Sequence, residues 1–201
     1  MTAGDVVVVT GFGAFGNFTE NPSSQIVDLL EEKKIPGFDG KLVTTKMDVA
    51  YTEVEETVKK LWKYEPKLVV HLGVHGCNRH IKLEKRSFGK GYTAYDVKGC
   101  VPENNVCSAY SQCSSFILNT SINCAAIAAQ VKDEINCKDL KITASLDPGR
   151  YLCAYSFYLS LSHDESRCLF VHVPPFDSVC TLEIVTEAIQ KIILAVLKTL
   201  D

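Results

Sequence analysis

The feature that most constrains this chain is a repeated alternation. A short, unbroken apolar run ends at glycine or proline, and a longer stretch with helical spacing follows. Residues 5–10 (DVVVVT) run into Gly11, residues 68–73 (LVVHLG) end on Gly73, and residues 168–173 (CLFVHV) stop at Pro174. Runs this short, with no polar residue at alternate positions, are strands buried on both faces. Residues 41–49 and 140–146 add two further strands. Between them, 24–35, 51–65, 121–135 and 181–199 place apolar residues at helical intervals. Residues 151–161 fit a helix or a strand, and 76–118 follow no regular period. The pattern predicts a single-domain, three-layer α/β/α sandwich over residues 1–201, with a mixed, mostly parallel central sheet. In such a sheet ligands gather beyond the strands' carboxyl ends. Attention therefore falls on residues 11–16, 73–84, 147–153 and 172–175.

Composition narrows the function classes. The chain has 201 residues, 46% hydrophobic, 22% charged, with a formal net charge of -3. Its basic residues are scattered, so neither nucleic acid nor an anionic membrane is expected as partner. The opening MTAGDVVVVTGFGAFG carries no basic leader, and residues 183–200 are too broken by charge to span a bilayer. Nine cysteines, an odd number, predict reduced thiols in a cytoplasmic protein. Cys100, Cys107 and Cys113, with Cys77, His75 and His80 upstream, lack the tight spacing of a structural zinc knuckle. No metal is expected.

GFGAFG at 11–16 satisfies G-x-G-x-x-G, but Pro22 and its polar neighbours predict a helix that starts too late to meet a pyrophosphate. No nucleotide cofactor is expected. Phe12 and Phe15 either cap the core or wall a small-ligand pocket. Cys153 follows a strand and a Pro-Gly turn. A helix starting there would offer free amides to a thiolate and to a developing oxyanion. The alternative is one buried thiol among nine. His172, at a strand end fixed by Pro174 and Pro175, either shuttles a proton or bonds to backbone. His71 reads as a satisfied core histidine and His163 as a solvated one. Glu84 either orients an imidazole or is a surface charge.

Five segments, VTGFGAFGNFTENPSS, LVVHLGVHG, KLEKRSFGKGY, DPGRYLCAYSFY and FVHVPP, occur in an order and at spacings that resemble the pyroglutamyl-peptidase I family, above all its animal members. The resemblance implies a cysteine peptidase of α/β fold acting on short peptides with an N-terminal pyroglutamate. It implies Glu84, Cys153 and His172 as the triad, with Phe12, Phe15 and Tyr151 walling the lactam pocket. No interface is assignable, and a monomer is expected. Other readings are a cysteine-dependent amidase acting on a related lactam and a quiet lactam-binding paralogue. Ala14 stands where family members usually have proline, which predicts a looser turn. His75 is expected to add a charge-dependent contact or a competing base.

Overall fold

A computed structural model describes residues 5–16, 19–113 and 115–200. Eight strands and six α-helices alternate along it. In chain order they are β1 (Val6–Phe12), α1 (Pro22–Lys33), β2 (Lys41–Met47), α2 (Tyr51–Trp62), β3 (Leu68–Val74), β4 (His80–Glu84) and β5 (Arg86–Phe88). Then come α3 (Tyr110–Cys113), β6 (Ile117–Asn119), α4 (Cys124–Glu134), β7 (Lys141–Ser145), α5 (Leu152–His163), β8 (Cys168–Val173) and α6 (Leu182–Leu200). Six strands form one sheet in the order β2-β1-β3-β8-β4-β7, and β5 pairs with β6 in a small antiparallel ribbon. β2, β1, β3 and β8 are parallel, β4 runs antiparallel to β8, and β7 is parallel to β4. The sheet is therefore mixed and mostly parallel, as the pattern predicted.

Alternation along each strand sorts side chains onto two layers. Val7, Val9, Val70, Leu72, Leu169 and Val171 join one apolar cluster with α1, α4 and α6. On α6, Val185, Ala188, Ile189, Ile192, Ile193 and Val196 are buried at helical intervals and supply much of that layer. Each fully buried aliphatic chain contributes about 1.5–3 kcal/mol. Phe12, Phe170, α2 and α5 build the opposite layer. Helix α5 is sandwiched there, and nine of its twelve residues are buried. That settles 151–161 as helix: a segment apolar around its whole circumference needs cover on all sides.

Residues 76–118 correct the expectation of irregular structure, because β4, β5, α3 and part of β6 lie within them. HIKLE alternates as a strand should, with Ile81 and Leu83 turned into the apolar cluster. Helix α1 begins at Pro22, slightly earlier than expected. Asn21 caps it by accepting from the Ser23 N–H at 3.0 Å. Among the described residues no helix is long and apolar enough to cross a membrane.

Candidate active site

The register of β8 explains how three distant residues meet. Glu84 pairs with Phe170 across the antiparallel β4–β8 contact, and Lys82 pairs with His172. Glu84 and His172 are thus diagonal neighbours on one face, within reach of long side chains. The His172 Nδ1–H donates to Glu84 Oε1 at 2.8 Å. Glu84 is fully buried, and its Oε2 has no hydrogen-bond partner among the described residues. The imidazole is the group that compensates this carboxylate.

Cys153 arrives from the other layer. Tyr151 is the N-cap of α5, so Cys153 lies in the first helical turn. Amide N–H groups in a first turn have no intrahelical acceptor and carry the positive end of the helix dipole. The Cys153 thiol is half-buried and near enough to His172 to act on its charge. Since Nδ1 is engaged by Glu84, Nε2 is the ring nitrogen left for the sulfur. Burial works against a charged His172, but Cys153 and then Glu84 outweigh it and raise its pKa to about 9. The site thus favours an imidazolium held between two acceptors.

Beside the sulfur lies a small apolar cleft. Phe12, Phe15 and Tyr151 line it together with Cys153, while Glu84 and His172 lie outside its lining. Asn21, Val49, Val74 and Leu152 also line it and were not singled out from the sequence. Position offered a signal for Val74 and Leu152, which neighbour named residues. Val49 follows β2 and carried no such signal. The turn at 11–16 is anchored despite Ala14. The Gly13 N–H donates to Met47 O at 2.9 Å, and Asn21 Nδ2 donates to Gly13 O at 3.0 Å. A Cβ on Gly11 would lie 2.4 Å from Ser23 O, which explains the glycine within β1 where α1 packs on it.

The other histidines are occupied. His71 is buried between Thr10 Oγ1 at 2.7 Å and Ser160 Oγ at 2.6 Å, and burial pushes its pKa down to about 3. His163 ends α5 exposed, its ring stacked on Trp62. His75 corrects the expectation of a competing base. Its Nε2–H donates to His80 O at 2.6 Å, while Nδ1 accepts the Cys77 N–H at 3.1 Å. Burial first, and the neighbouring positive groups after it, lower its pKa to about 4. It stands edge-to-face against His172, 5.7 Å between ring centroids, as a neutral neighbour.

A buried carboxylate, an imidazole and a thiol at a helix N-terminus, set beside an apolar cleft, are the groups that nucleophilic catalysis by a thiol requires. The comparisons with known proteins specify it further. The family model described as "Putative pyroglutamyl peptidase PgaPase_1" matches residues 1–177. Human "Pyroglutamyl-peptidase 1" is 35% identical over 196 residues, covering 97% of this chain and 91% of that protein. The solved pyrrolidone carboxyl peptidase of Fervidobacterium islandicum superposes with a TM-score of 0.80 at 26% identity, covering 97% of this chain and 99% of that one. The Thermococcus litoralis pyrrolidone carboxyl peptidase shares the fold, with a TM-score of 0.83 at 20% identity over 98% and 94% of the two chains. The chain belongs to the pyroglutamyl peptidase family.

Proposed function

We propose that this protein is a cysteine peptidase that removes N-terminal pyroglutamate from short peptides, with residues 1–201 acting as one catalytic unit. Cys153 is the nucleophile, His172 the proton shuttle, and Glu84 the group that orients the imidazole. The observation that carries the assignment is the Glu84 Oε1–His172 Nδ1 bond at 2.8 Å, with the Cys153 thiol beside that imidazole and bordering the apolar cleft.

The Cys153 thiolate attacks the pyroglutamyl carbonyl carbon. A C–S bond forms, and the electron pair moves onto oxygen. Amides of the first turn of α5 hold that oxyanion. Its collapse breaks the scissile C–N bond, and the His172 imidazolium gives its proton to the departing amine. Water then attacks the thioester, His172 takes the proton, and pyroglutamate leaves. Glu84 keeps Nδ1 protonated throughout. The ring selectivity follows from the cleft: Phe12, Phe15 and Tyr151 bury a flat, neutral lactam. No carboxylate lines that cleft among the described residues, so a charged N-terminal ammonium would lose its hydration without a partner.

The nine free cysteines support work in a reducing compartment, the cytoplasm. The test is hydrolysis of a fluorogenic pyroglutamyl amide by wild type and Cys153→Ser, with a prolyl amide as control. Turnover of the pyroglutamyl compound alone, lost in the variant, is expected. Absence of wild-type turnover under reducing conditions would reject the peptidase reading.

A further inference from the structure

We propose that Gly73 is a positioning residue for the peptidase reaction: its missing side chain leaves the seat in the sheet that the Cys153 sulfur occupies beside His172. The inference rests on Cys153 being the nucleophile. Gly73 lies within β3 and pairs with His172 of β8. No left-handed backbone demands glycine there. Glycine inside a strand weakens it, so its presence calls for a close approach by another group.

That group is identifiable. A Cβ placed on Gly73 would lie 2.8 Å from Cys153 Sγ and 2.8 Å from Phe170 Cζ. Both are far inside ordinary van der Waals contact. The two neighbours differ in freedom. The Phe170 ring is fully buried and hemmed by Phe157 at 5.9 Å, His71 at 6.3 Å and His172 at 4.8 Å between centroids. Cys153 is half-buried and borders an open cleft. A methyl group at position 73 therefore displaces the sulfur, by rotation of the Cys153 side chain away from His172. The lactam walls stay in place, and the contact that delivers the thiolate is lost.

The test is Gly73→Ala, alone and in the Cys153→Ala background. In the single variant kcat should fall about a hundredfold, with KM little changed, and iodoacetamide labelling of Cys153, followed by peptide mass spectrometry, should slow. Thermal stability should drop in the single variant, and Cys153→Ala, which deletes the sulfur, should return most of that loss. An equal loss of stability in both backgrounds, including failure of both to fold, would place the clash elsewhere and overturn the proposal. So would wild-type kcat in Gly73→Ala, or full recovery of kcat in Gly73→Ala/Phe170→Leu, which relieves only the ring. The stability cycle needs no activity. Full turnover in Cys153→Ser would instead reject the nucleophile itself, a separate failure.

Discussion

The two faces of the central sheet are built from the same strands and do different things. The face under α1, α4 and α6 is lined by Val7, Val9, Val70, Leu72, Leu169 and Val171. The face under α2 and α5 carries the alternate residues of those strands. Among them are Thr10, His71, Glu84 and His172, all buried and polar, with Ser156 and Ser160 reaching down from α5. A buried polar group is costly unless it is partnered. On this second face the partners form two chains. Trp62 Nε1 donates to Ser160 Oγ at 3.1 Å, and Ser160 and Thr10 bracket His71. Glu84 and His172 form the other, with the Cys153 thiol beside the ring. The first chain ends within the fold, at Trp62 and Thr10, whereas the second lies beside a thiol that borders the cleft. One face therefore secures the fold, and the other holds the groups that the proposed function makes reactive.

The largest effect that separates the faces is expected at Glu84. Glu84→Gln keeps the shape and removes the charge that holds His172 protonated at Nδ1. Turnover should fall about 10²–10⁴-fold, while the urea midpoint moves far less. Near-wild-type kcat in this variant would end the assignment of Glu84. The reverse experiment cuts into the other face. Leu169→Ala leaves a hole in the aliphatic cluster and should cost about 2–5 kcal/mol in urea unfolding. Turnover per folded molecule should persist. If kcat collapsed as stability did, the separation of duties between the faces would be wrong.

Much of this division was legible in the sequence, and the part that was not has a physical cause. The unbroken runs at 6–9 and 168–171 announce strands covered on both sides, and they gave the fold class. Five-residue HIKLE does alternate, but it is short and lies within a glycine- and lysine-rich stretch, so its period was lost there. What no local pattern carries is its neighbour. The insertion of β4 between β8 and β7, antiparallel to β8, is a non-local choice of the chain. Yet that pairing sets Glu84 diagonal to His172. The positions of Phe12, Phe15, Tyr151 and Cys153 at strand ends and a helix start were readable, because strand ends collect in one place. The neutral role of His75 was not. It depends on a carbonyl and an amide that only the folded turn brings to its ring.

The pH dependence sharpens the comparison between the two buried chains on the site face. His172 has a folded pKa of about 9, above the ordinary 6.5. Its contribution to stability is complete below about pH 6.5 and is lost as pH rises through about 9. His71 has a folded pKa of about 3. Its contribution is present above about pH 6.5 and is lost as pH falls toward 3. Urea unfolding of wild type should therefore show stability declining on both sides of neutrality. Glu84→Gln should make the alkaline side shallower and leave the acid side alone. Turnover should fall in the same alkaline window, as His172 loses the proton it gives to the departing amine. An alkaline limb unmoved by Glu84→Gln would remove the carboxylate from the coupled group.

The smallest expected effect lies at the edge of the same face, in the support of the cleft wall. Helix α2 has Ala50 as its N-cap, with no side-chain bond of its own. Asp96 supplies the cap from a distance: its Oδ2 accepts the Tyr51 N–H at 3.0 Å, and its Oδ1 accepts from Lys98 and Cys100 at 2.9 Å each. The segment it fixes includes Tyr95, whose carbonyl receives the Tyr151 hydroxyl at 3.2 Å. Tyr151 also meets Tyr51 edge-on at 6.1 Å. Removal of the cap should thus loosen a wall of the lactam cleft without touching the thiol or the imidazole. For Asp96→Ala the cost in urea unfolding should be about 1 kcal/mol, with a raised KM and an unchanged kcat. A fall in kcat at constant KM would instead couple this cap to the chemistry of the triad, and the cleft wall and the reacting groups would then move as one unit.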